Sequence, residues 1–145
     1  MLKKSTDELM NELLKANNIS DYLKENSQYM VSDEISTYLT NIIAKKGLVK
    51  SEVIKKTELS EIMGYQIFSG ARRPSRDSLI CICNAMGMDM EETQSMLKIA
   101  GFSALYPKIV RDSVIIKGIS DGLSVPQIND ALYNRGEKTL NEKSV

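Results

Sequence analysis

The chain has 145 residues, 42% hydrophobic and 26% charged, with zero formal net charge and no histidine, a size and apolar share that suit one compact domain with a small appendage. Zero net charge argues against an unspecific nucleic-acid binder. The first ten residues contain no apolar run of signal-peptide length and no later stretch approaches a membrane span, so a cytoplasmic protein with no membrane partner is expected.

Residues 5–30 read as one or two short helices. Ser5 and Glu8 have capping-box spacing, and Leu9, Leu13 and Leu14 make a partial apolar stripe. Asn17-Asn18 breaks it, and Ser20 to Glu25 starts another turn or two. This arm has three open roles: packing on the core, dimerisation, or mobility.

A stronger helix is predicted from about Asp33 to Lys46. Ile35, Leu39, Ile42 and Ile43 build one face, Ser32 or Asp33 caps the start, Lys45 and Lys46 suit the negative end of the dipole, and Gly47 is the stop on which Leu48 folds back. Lys50 to Lys56 forms a short helix with Val53 and Ile54 inward. After Thr57 to Leu59, Ser60 caps a second helix that Gly70 closes. That helix exposes some of Glu61, Ile62, Met63, Tyr65 and Gln66 while burying Ile67. Two short helices with so tight a connection make a helix-turn-helix, whose second helix fits a DNA major groove.

Ser75 caps the next helix, about Arg76 to Met86, with Leu79, Ile82, Cys83 and Met86 on one face and Ile80 and Cys81 also apolar, so it is expected to be the most buried. Cys81 and Cys83 point to different faces and lack histidine partners, so they read as small core residues rather than a bridge or a metal set. Asp89 and Glu92 make a capping box for a helix to about Ala100, with Met90, Met96 and Leu97 inward. Pro107 is expected to open a helix carrying Ile109, Val110, Val114, Ile115 and Ile116 that ends near Gly118 or Gly122. Ser124 and Gln127 box the last helix, which holds Pro126 in its first turn, carries Val125, Ile128, Leu132 and Tyr133, and stops at Gly136. This final pair reads as a hairpin packed on the bundle or against a second copy, with a second helix-turn-helix as the competing reading.

Charge is unevenly spread. Between Lys45 and Arg76 there are eight basic residues against three acidic ones, as expected of one polyanion-facing surface on an otherwise acidic protein; a solvated basic face is the bland alternative. Nothing meets the minimum for catalysis: there is no Gly-rich phosphate loop, no metal-ligand cluster and no nucleophile with its base, and Glu91 and Glu92 read as helix-start charges. No enzyme, cofactor or metal is expected.

The segment from about Ile35 to Lys98 resembles the XRE or lambda-repressor-like family of five-helix DNA-binding domains. The resemblance rests on the order of caps and apolar positions and, most specifically, on Ile67-Phe-Ser-Gly-Ala-Arg-Arg-Pro-Ser75 followed by an apolar helix, Gly87 and Asp89-Met-Glu-Glu92. The Gly64-Tyr-Gln-Ile-Phe-Ser-Gly70 phrase, the Leu105-Tyr-Pro107 turn and the added helical pair are similar to a group of small stand-alone bacterial proteins with this domain. The resemblance implies an all-α fold: an N-terminal helical arm (1–31), a helix-turn-helix bundle of five helices (32–101), a C-terminal helical hairpin packed on it (102–140) and a frayed tail (141–145). It also implies that Ser60, Glu61, Ile62 and Gln66 face the major groove, while Lys50, Arg72 and Arg73 contact phosphates.

With these, the base-reading candidates are Ser60, Glu61, Ile62, Tyr65 and Gln66, and the phosphate candidates are Lys46, Lys50, Lys55, Arg72, Arg73 and Arg76. A glutamine amide both donates to and accepts from an adenine edge, whereas the cations give affinity and register. Three features depart from the family pattern. Glu58 stands where the turn glycine is usual, which predicts a distorted or longer turn. Gly64 replaces a branched apolar residue at about 1 kcal/mol of helix propensity. Glu61 and Ile62 suit a phosphate-rich groove poorly. The expected function is a sequence-specific regulator of transcription acting on double-stranded DNA, with a homodimer in view. The alternative is a module presenting Ile62, Met63, Tyr65 and Phe68 to another protein.

Overall fold

A computed structural model describes residues 4–30 and 35–141, and among these residues every regular element is helical. The chain divides into two compact units after Ser32.

The first unit holds α1 (Thr6–Lys15) and α2 (Ile19–Glu25). The Ser5 hydroxyl accepts from the Glu8 amide at 3.1 Å while Glu8 reaches back to the Ser5 amide, which closes the expected capping box. Asn18 stops the stripe of α1 by capping α2, its Oδ1 accepting from the Asp21 amide at 2.8 Å.

The second unit begins with α3 (Ile35–Lys46), α4 (Lys50–Lys56) and α5 (Glu61–Ser69), continues through α6 (Arg76–Ala85) and α7 (Met90–Ile99), and ends in α8 (Val110–Ser120) and α9 (Val125–Asn134). Ser32 and Asp33, expected to cap α3, lie outside the described residues, as do positions 142–145 of the expected frayed tail. Ser60, Ser75, Asp89 and Ser124 cap α5, α6, α7 and α9 as their spacing predicts. Leu79, Ile80, Cys81, Ile82 and Cys83 on α6 are all wholly buried, and α6 packs against α4, α7 and α9, so it is the axis of the core. Its two cysteines are free. Burial pushes both thiols up to about 12, which makes them inert core groups.

The turn between α4 and α5 keeps its short span of Thr57 to Ser60. Glu58 is not a distortion that lengthens it: the residue takes φ +62°, the left-handed conformation a glycine would adopt there. Thr57 is buried, and its hydroxyl donates to the Ile54 carbonyl and accepts from the Leu59 amide, which holds the turn. Gly64 has a packing reason rather than only a propensity cost. A Cβ there would meet Ile54 Cγ2 at 2.6 Å, so the missing side chain lets α5 lie directly on α4.

Two arginine–carboxylate clasps join α6 to α8. Arg76 grips Asp112 with both terminal nitrogens, at 3.2 and 3.0 Å, and also donates to the Ser103 and Ala104 carbonyls. Arg111 grips Asp77 in the same two-pronged way, at 3.1 and 3.0 Å. Gln94 on α7 donates to and accepts from the Leu105 backbone. After α9 the chain returns: Leu140 is buried, its amide donating to Asn129, and Asn141 donates to the Glu58 carbonyl at the α4–α5 turn.

Two expectations for this pair are corrected. Helix α8 opens at Val110 rather than Pro107, because the Tyr106–Ile109 backbone forms a turn that delivers the Tyr106 amide to Asp112. Tyr133 points outward and is 76% exposed, since Val125, Ile128 and Leu132 already fill the inner face of α9. Of the two stops expected for α8, Gly122 follows its end at Ser120 and takes φ +72°, whereas Gly118 lies within the helix, where a Cβ would stand 2.6 Å from Ile128 Cγ1, and serves close helix contact.

Candidate functional site

Helix α5 carries the site because only one side of it is needed for the core. Gly64, Ile67 and Phe68 face inward, with Met63 half-buried against the same core. This leaves Glu61, Ile62, Tyr65 and Ser69 exposed and Gln66 at the margin, a strip that a helix with period 3.6 collects on one side. Ile62 is 73% exposed, an unusual position for so large an apolar side chain. The Ser60 hydroxyl is exposed but accepts from the Met63 amide at 3.2 Å, so its first task is the cap.

The end of α5 is built as firmly as its start. Gly70 takes φ +87° and turns the chain back, so the Arg72 amide donates to the Gln66 carbonyl at 3.1 Å. Ser69 Oγ donates to the same carbonyl and accepts from the Ala71 amide. The loop therefore holds Arg72 in place, and its Nε donates to Gln66 Oε1 at 3.0 Å. The amide oxygen keeps a second lone pair and the amide nitrogen both its donors, so Gln66 retains a donor and an acceptor for another molecule.

The basic candidates separate by what already holds them. Arg72 is exposed and fixed at the end of α5; Lys50 lies on α5 from α4, its ammonium 5.8 Å from the centroid of the Phe68 ring. Lys55 is exposed at the end of α4, its side chain making no hydrogen bond or ion pair to the described residues. Arg73 is exposed yet spends one nitrogen on the Ala100 carbonyl at 2.7 Å, which caps the end of α7. Lys46 donates to the Gly87 carbonyl and lies 3.5 Å from Glu92, turned toward the start of α7.

Arg76 must be removed from the set. Its guanidinium is consumed by Asp112 and two carbonyls, so it is a structural cation that sequence adjacency to Arg72 and Arg73 disguised. Phe68 is likewise removed from the proposed partner-facing set, because it is 3% exposed. Sequence reasoning missed both the Arg72–Gln66 bond and the Lys50–Phe68 contact. The first had a signal, a glycine stop followed by a basic residue; the second needed the crossing of α4 over α5.

Beside the end of α5 a cleft of about 320 Å³ has Ser36, Ser69, Arg72 and Arg73 on its wall together with the apolar Ile35, Ile67 and Pro74, a mixed lining with two cations. A larger groove of about 460 Å³ along α8 and α9 is mainly apolar and shares no lining residue with α5. Among the described residues no group of three or more histidine, cysteine, aspartate or glutamate side chains is arranged to hold a metal ion, and no helix is long and apolar enough to cross a membrane. Comparisons with models of protein families, with curated proteins and with solved structures find no match.

Proposed function

We propose that the protein is a sequence-specific DNA-binding regulator of transcription. In this reading α3 to α7 are the five helices of a lambda-repressor-like domain, α4 and α5 are its helix-turn-helix, and α5 enters the major groove. One observation carries it: the exposed strip of α5 presents Gln66 already braced by Arg72, with the Lys50 ammonium 5.8 Å from the ring of Phe68 on the same helix. A fixed amide reads an adenine edge at lower entropic cost than a free one, and an arginine bound to it reaches a phosphate or a neighbouring guanine. Lys55 and the cleft at Ser36, Ser69 and Arg72 supply further phosphate contacts. The role of Ser60 is secondary, since its hydroxyl is engaged in capping, while Glu61 and Tyr65 stand exposed on the same strip.

The direct test is selection from a random duplex pool followed by sequencing. Enrichment of one motif is expected. Gln66→Ala should flatten preference at one base by roughly 1–3 kcal/mol, whereas Lys55→Ala should weaken all sequences alike, and Arg72→Ala, which also frees the Gln66 amide, should weaken binding and blunt that same preference. No recovery of duplex at low salt would overturn the reading.

A second reading is favoured by Ile62, whose 73% exposure suits an apolar partner better than a phosphate-rich groove. In that case Ile62 and Tyr65, with the rim of Met63, dock another protein. Ile62→Ala would then abolish a partner while leaving any duplex binding intact.

A further inference from the structure

We infer that the first unit is a self-association element, and that two copies of the chain pair through the apolar faces of their α1 and α2 helices. The inference goes beyond DNA binding and does not rest on it.

The unit is built inside out. Among its described residues the one that is buried is Asn26, whose amide donates to Glu12 at 3.0 Å and to the Tyr22 carbonyl at 3.1 Å while its oxygen accepts from Lys4 at 2.9 Å. Lys4 also pairs with Glu12, and the groove between the helices is walled by Lys4, Asn11, Glu12, Lys15, Asp21 and Glu25. Neither helix buries an apolar side chain. Met10, Leu13 and Leu14, at i, i+3 and i+4, are exposed by 53, 38 and 75%, and Ile19 and Leu23, at i and i+4, by 56 and 45%. A polar clasp thus spends the contact between α1 and α2 and leaves two apolar stripes in water, the reverse of what an isolated pair of helices needs.

Charge and area choose the occupant. Residues 1–30 hold four lysines and five carboxylates, so two copies repel only weakly, while the slight acidic surplus disfavours an anionic membrane or nucleic acid. With Met30, 38% exposed, the six side chains offer roughly 600 Å² per copy, or about 1,200 Å² for a pair, the lower edge of stable specific interfaces. The same patch on each copy makes the contact isologous and closed. The product is a four-helix assembly.

The test is sedimentation equilibrium of the full chain and of Met10→Glu/Leu14→Glu, two exposed positions whose change leaves α1 free to fold, checked by an unaltered helical circular dichroism signal. The wild-type chain is expected at twice its monomer mass of 16.2 kDa and the variant at that mass. A monomeric wild-type chain, or a variant that stays dimeric, overturns the inference. A monomer that still selects a DNA motif sinks only this proposal, and a dimer that selects none sinks only the DNA reading.

Discussion

Replacing Gly64 by alanine decides whether the glycine is a weakness in α5 or the reason α5 sits where it does. On propensity alone the change gains about 1 kcal/mol. The added Cβ would stand 2.6 Å from Ile54 Cγ2 and 3.1 Å from Cγ1, about 1 Å inside a favourable carbon contact. Both helices are anchored, α4 by buried Val53 and Ile54 and α5 by Ile67 and Phe68, so the strain cannot be shed freely. Overpacking of this kind costs about 1–3 kcal/mol, and the net effect is a loss of roughly 1 kcal/mol. Urea unfolding followed by circular dichroism should show a lower midpoint with an unchanged slope. The control is Ile54→Ala, which alone costs about 2–5 kcal/mol; in that background Gly64→Ala should turn stabilising, because Cγ2 and Cγ1 are gone and only Ile54 Cβ remains, at 3.3 Å. Stabilisation in the wild-type background, or the same effect in both, would refute the close-contact argument.

Glu58→Gly should stabilise by about 0.5–1 kcal/mol, seen as a raised urea midpoint, because it relieves the left-handed backbone at φ +62° while adding chain entropy to the unfolded state. Arg76→Ala should cost about 3 kcal/mol by stranding Asp112, which is 3% exposed. Arg72→Ala should change stability by less than about 0.5 kcal/mol, and the contrast between the two is read from paired melts. In the first unit, hydrogen bonds from Lys4 and then Asn26 hold the Glu12 carboxyl below its ordinary range, and Glu12 raises Lys4. A lowered carboxylate contributes above its unfolded pKa and fails as pH falls through its folded one; a raised lysine contributes fully below its unfolded pKa and fails as pH climbs through its folded one. The clasp should therefore be whole at neutral pH and open only as pH falls below the ordinary glutamate range, with the side-chain amide resonance of Asn26 as the reporter.

What could be read from residue order was whatever is settled within a turn or two. Capping boxes at Ser5, Asp89 and Ser124, the caps at Ser60 and Ser75, and the left-handed stop at Gly70 depend on partners three residues away, and all formed as spaced. The burial of α6 followed from its unbroken apolar run. Arg76 was misread because its partner Asp112 lies 36 residues on, and charge counting assigns a cation to the surface until its carboxylate is known. Glu58 and Gly64 looked like departures from a pattern for a related reason: one is a backbone angle and the other a gap filled by Ile54, and neither is written in local sequence. The polar interior of the first unit was hidden by the same distance, since Lys4, Glu12 and Asn26 meet only once α1 and α2 have folded back on each other.

The proposal that α5 and its cations face DNA is tested most directly by the salt dependence of duplex binding, followed by fluorescence anisotropy on the motif recovered from selection. If Lys50, Lys55 and Arg72 each neutralise one phosphate, a fourfold rise in salt should weaken binding roughly 40-fold per copy, and Lys55→Ala/Arg72→Ala should cut that to about fourfold. Binding that ignores salt, or a double variant with the wild-type dependence, would contradict the account and leave the exposed Ile62 and Tyr65 as a surface for protein.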